Sequence, residues 1–111
     1  MTNIILNTQF SAIHCWPDCG IPEMKYLKHP HRHVFHIRMK WEVNHDNRDI
    51  EFIQQKEKVE HYIREQWLNK NLGQMSCESI AKTFGVYWKA DYVRCMEDNE
   101  NGAEWMKEEE K

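Results

Sequence analysis

At 111 residues and 13.6 kDa, the chain has the length of one small domain, with 41% hydrophobic residues for a modest core. Its 15 basic and 18 acidic residues leave a net charge of −3, which argues against bulk nucleic-acid binding through phosphate neutralisation. No apolar run approaches the ~20 residues of a membrane span, and no basic segment followed by an apolar stretch marks a secretory signal. The expectation is a cytoplasmic protein in which Cys15, Cys19, Cys77 and Cys95 are reduced thiols.

The first predicted element is a strand over residues 4–14. Ile4, Leu6, Thr8, Phe10, Ala12 and His14 share one face, and Asn3, Asn7, Gln9 and Ser11 take the other. Period-two alternation with one apolar face describes a half-buried strand. The connection over residues 15–30 carries Pro17, Pro22 and Pro30, and a loop of this length is more often functional than idle. A second strand over 33–43 points Phe35, Ile37, Met39, Trp41 and Val43 inward, and His31 and His33 extend that face backwards.

A polar turn over 46–49 leads to a helix over residues 50–71, free of Gly and Pro, with Phe52, Val59, Ile63 and Trp67 at helical spacing. Gly73 is its expected stop. A short second helix is capped by Ser76, presents Ile80, Ala81 and Phe84, and ends at Gly85. Alternation resumes over 86–96 through Val86, Trp88, Ala90, Tyr92 and Met96, which sets Glu97 off the apolar face. A turn over 99–102 precedes a last strand over 103–106. The order predicts an α+β domain over residues 1–106, a four-stranded antiparallel sheet (ββααββ) with two helices on one face, followed by a charged tail over 107–111.

Seven histidines are many for this length. An antiparallel hairpin sets the end of the first strand beside the start of the second, which brings His14, His31 and His33 together on the covered side. Three imidazoles crowded without a metal need other hydrogen-bond partners, whereas catalytic zinc commonly takes three protein ligands and keeps one position open. The pattern therefore predicts Zn²⁺ on His14, His31 and His33. His29 is the rival ligand, set aside because Pro30 follows it and it lies outside the alternation. His36 points to the opposite face and His61 lies on a helix.

These residues also form motifs. Phe10-Ser-Ala-Ile-His14, followed by His31-Arg-His33 opening a strand, resembles the Phe-x-Ala-x-His and His-Gly-His motifs of the 6-pyruvoyltetrahydropterin synthase and 6-carboxytetrahydropterin synthase family. Ile50-Glu51-Phe52, Trp67-Leu68-Asn69, the run Ser76-Cys77-Glu78-Ser79-Ile80-Ala81, and Glu97 with Gly102-Ala103 resemble further family motifs in the same order. The resemblance covers about residues 10–105 and implies a T-fold that assembles through its sheets into a barrel, usually a hexamer or tetramer. It implies zinc on His14, His31 and His33, with Glu97 and Ser76 as substrate-binding residues. Glu97 would hold the amino-pyrimidine edge of a pterin, since a carboxylate accepts two parallel N–H bonds.

The departures are specific. Leu27 stands where the family has its catalytic Cys, and Arg64 and Glu65 stand where it has an Asp-His pair. Glu65 as a proton-transfer carboxylate and Cys19 as a displaced thiol are the candidate substitutes; the catalytic residues themselves are not assigned. The resemblance implies a zinc lyase cleaving carbon–carbon or carbon–oxygen bonds of 7,8-dihydroneopterin triphosphate or a related pterin, towards a queuosine-type or tetrahydrobiopterin-type product. The second reading is an inactive member that binds a pterin or a guanine-type nucleotide.

Overall fold

The structure, a computed structural model, describes residues 1–108. The last three residues of the expected charged tail, 109–111, lie outside the described residues. Strand β1 (Asn3–His14) pairs antiparallel with β2 (His31–Glu42), β2 with β3 (Tyr92–Glu97), and β3 with β4 (Asn101–Met106), giving the sheet order β1-β2-β3-β4. Between β2 and β3 the chain forms α1 (Phe52–Gln66) and α2 (Cys77–Trp88). The expected ββααββ order and antiparallel sheet are present.

Alternation in β1 and β2 does what period-two patterning requires. Leu6, Phe10, Ala12, Phe35, Ile37, Met39 and Trp41 are buried against the helices, and the register sets Phe10 opposite Phe35, Ala12 opposite His33 and His14 opposite His31. The helices close the core with aromatic rings. Phe84 lies 4.8 Å from Trp67 and 6.0 Å from Phe10, centroid to centroid, distances at which rings gain contact beyond area burial.

The helix boundaries differ from the sequence expectation for local reasons. The Glu51 carboxylate caps α1 by accepting from the Ile53 and Gln54 amides, which leaves Phe52 in the first turn and exposed, so only Val59, Ile63 and Trp67 of the expected stripe are buried. The helix ends at Gln66, with Trp67 as its C-cap and Asn69 in the left-handed region at φ 58°. Gly85 does not end α2: the helix runs to Trp88, and Lys89 at φ 53° closes it. Gly85 serves close packing instead, because a Cβ there would collide with the Trp105 ring.

This extension also corrects the phase of β3. Val86 and Trp88 belong to α2, so their spacing imitated a strand. The buried residues of β3 are Val93 and Cys95, and Glu97 continues that core-facing side. No bulge is needed to bring Glu97 to the histidine face, contrary to the alternation drawn from residues 86–96.

Candidate metal centre

The site sits where the core-facing sides of β1, β2 and β3 reach the same end of the sheet. His14 ends β1, His31 and His33 open β2, and Glu97 ends β3. The imidazole centroids of His14, His31 and His33 are 4.6, 5.3 and 4.9 Å apart, and one ring nitrogen from each lies within 4.8 Å of the others. The three histidines named from sequence are thus brought together, close enough to hold one metal ion.

Each ring is oriented by its other nitrogen. His14 Nδ1 is 2.8 Å from the Met75 carbonyl, His31 Nδ1 is 2.8 Å from the His29 carbonyl, and His33 Nδ1 is 2.7 Å from Asp98 Oδ2. Carbonyls and carboxylates only accept, so these bonds assign Nδ1–H to all three rings. Each Nε2 then carries a lone pair when the ring is neutral. His14 Nε2 is buried and has no hydrogen-bond partner among the described residues, although Glu97 Oε1 stands 3.1 Å away; a lone pair there has no proton to give a carboxylate. Glu97 Oε2 is 3.4 Å from His33 Nε2. Lone pairs and a carboxylate facing one another repel unless a cation or added protons join them. The orphaned buried nitrogen and the donor set therefore fit a metal ion on His14, His31 and His33.

The orienting groups arise from identifiable local structure. The α1–α2 connection runs beside the end of β1, where the Ile13 amide donates to the Lys70 carbonyl and the Cys15 amide to the Gly73 carbonyl. Gly73, at φ 64°, permits the bend that delivers the Met75 carbonyl to His14. Asp98 and Asn99 occupy the two positive-φ positions of the β3–β4 turn, at 52° and 59°, closed by the Glu100 amide on the Glu97 carbonyl. The Asp98 carboxylate reaches back to β2, accepting from the Val34 amide at 3.0 Å as well as from His33. The His33 hydrogen bond first, and the Val34 amide second, hold the Asp98 carboxyl below its ordinary pKa.

A carboxylate on the far nitrogen fixes the tautomer and raises the basicity of a metal-binding imidazole. Asp98→Asn keeps the shape and tolerates the left-handed backbone but removes the charge. It is expected to weaken zinc binding by about 10–100-fold, read by competition with a chromophoric chelator, and an unchanged affinity would remove Asp98 from the site.

A cavity of about 550 Å³ opens beside the cluster, with His14, His31 and Glu97 on its wall together with Cys15, Ser76 and Glu78. Ser76 lines this cavity while its hydroxyl caps α2, accepting from the Ser79 amide. Leu27 lines the same cavity, at the position where the resemblance would place a thiol.

Both proposed substitutes lie elsewhere within the chain. Cys19 is buried, with its Sγ 3.5 Å from the Met24 carbonyl, so it holds the loop rather than facing the cavity. Glu65 lines a groove between the helices, with His61 and Tyr62. His29 supplies a carbonyl, not a ring. Behind the cavity Cys95 stays a protonated thiol, because its hydrogen bond with Cys77 first, and burial second, raise its pKa.

Sequence reasoning missed Asp98, Cys15 and Glu78. The signal for Asp98 was its place one residue after Glu97; for Cys15, its place beside His14.

The fold and site define an α+β domain with a three-histidine candidate metal centre at one end of its sheet. No family model and no curated protein sequence matches the chain, and among the described residues no helix is long and apolar enough to cross a membrane.

Proposed function

We infer that the protein is a divergent zinc-dependent enzyme of the pterin synthase type, acting on 7,8-dihydroneopterin triphosphate or a related pterin. The observation that carries this reading is the convergence of three oriented imidazole nitrogens with a carboxylate beside a cavity of ligand size. Three neutral imidazoles with room for a further ligand suit catalytic zinc. The resemblance of the motif order adds the pterin class and a barrel-type homo-oligomer, a hexamer or tetramer, and the four cysteines read as reduced thiols add a cytoplasmic setting.

Bound zinc would supply a Lewis acid for the side-chain oxygens of the substrate. Glu97 would accept the paired N–H groups of the amino-pyrimidine ring and hold it against the cavity wall. Ser76 would contribute a hydroxyl at the start of α2. With Leu27 unable to move protons, the Cys15 thiol and the Glu78 carboxylate on the cavity wall take the general acid–base roles, while the Cys77 thiol beside them is engaged with Cys95. Cys15 and Glu78 replace Cys19 and Glu65 as the candidates.

A second reading is favoured by Leu27 and by the remoteness of Glu65: a member that binds a pterin or guanine-type nucleotide without turning it over. Incubating the zinc-loaded protein with 7,8-dihydroneopterin triphosphate separates the two. The enzyme reading expects triphosphate release that is lost in Glu97→Gln. Tight binding without release selects the binder, and neither binding nor release rejects the pterin class.

A further inference from the structure

The face of the sheet turned away from the helices carries charge that the metal centre does not use. Arg38 on β2 and Arg94 on β3 are directly opposite each other in the register, and like charges so placed destabilise a sheet. The usual remedy is missing. Among the described residues neither guanidinium has a carboxylate at ion-pair distance; the ion pairs there all involve histidine. Glu104 faces Arg94 across β4, yet its Oε2 accepts from the Tyr92 hydroxyl at 2.7 Å instead.

The two guanidinium groups are placed differently. Arg38 Nε donates to Asn7 Oδ1 at 2.8 Å, which fixes the guanidinium plane and leaves its outer N–H groups free. Arg94 Nε is buried and has no hydrogen-bond partner among the described residues, a costly state for a charged donor. A cavity of about 400 Å³ lies over the pair, walled also by Asn7, Gln9 and His36 and, from α1, by Lys56 and Glu60, the one acidic residue lining it among the described residues. Two guanidinium forks, one of them fixed by Asn7, with a lysine and amide groups around a small polar hollow form the donor arrangement that phosphate oxygens match.

We propose that Arg38 and Arg94 form a binding site for a phosphate-class anion on the sheet face opposite the metal centre. A bound phosphate accepts from the outer N–H groups of both forks and neutralises the repulsion between them. The site rests on its own residues and stands whether or not the pterin reading holds.

Titration calorimetry of the full-length protein at low salt tests this, with inorganic phosphate, pyrophosphate and methyl phosphate as separate probes, before and after zinc loading. Binding is expected in both metal states, and Arg38→Gln and Arg94→Gln are each expected to weaken it by about 10–100-fold without changing zinc retention. Methyl phosphate binding as well as inorganic phosphate would assign a phosphorylated molecule as ligand; inorganic phosphate or pyrophosphate alone would assign the free anion, and either supports the site. If Arg94→Gln fails to fold, Arg38→Gln and Arg38→Lys carry the test, the latter retaining charge but not the fork. Binding unchanged by these substitutions, binding only when zinc is present, or no binding of any probe at about 1 mM overturns the proposal.

Discussion

Replacing His33 with alanine is expected to empty the metal centre. The native chain should retain about one equivalent of zinc, as a three-histidine site does, and His33→Ala should retain almost none after desalting, measured by elemental analysis against protein concentration. The expected affinity loss exceeds the about 10–100-fold typical of an orienting partner, because a donor is removed. Three contacts are lost together: the Nε2 that meets Glu97, the Nδ1 that meets Asp98, and the ring that lies 4.9 Å from His31. The fold should survive, since the cluster lies at the end of the sheet and Phe35, which loses its edge contact with the His33 ring, keeps Phe10 at 5.6 Å. Full zinc retention with intact structure would mean that the histidines are oriented for something other than a metal.

Phe84→Ala is expected to be the most damaging core substitution, at about 3–5 kcal/mol. Phe84 is fully buried and touches the sheet through Phe10 and helix α1 through Tyr62 and Trp67, so its loss opens a cavity that no single neighbour can fill. Small domains have about 5–15 kcal/mol in total, so the variant should sit near the edge of folding. Urea denaturation reads this as a lower midpoint at unchanged slope. A midpoint within error of the native value would mean that the α2–sheet packing is not what holds the domain together.

Much of the metal centre was legible because strand alternation is a strong rule. Once Phe10, Ala12 and His14 share a face, and His33 shares one with Phe35 and Ile37, antiparallel pairing leaves the imidazoles little choice but to meet. The groups that orient them were not legible. The Met75 and His29 carbonyls are backbone atoms that every residue owns, and only the path of the connection decides where they end.

Asp98 lies in a turn whose residue types suit a turn anyway, so its reach back to His33 and Val34 had no separate signature. Glu97 was assigned to the site by resemblance while alternation argued against it. The conflict arose because the last turn of α2 places apolar residues at 86 and 88, two apart as in a strand, although in the helix they point different ways and Val86 is exposed. Cys19 and Glu65 illustrate the opposite error: residue type suggested chemistry, but one thiol is spent on loop carbonyls and the carboxylate faces the interhelical groove.

X-ray absorption spectroscopy of the zinc-loaded protein tests the metal centre most directly. The expected first shell is three imidazole nitrogens with an oxygen, at about 2.0–2.1 Å, and no sulfur. A shell of oxygen scatterers alone, or a sulfur at about 2.3 Å, would place the ion somewhere other than between His14, His31 and His33.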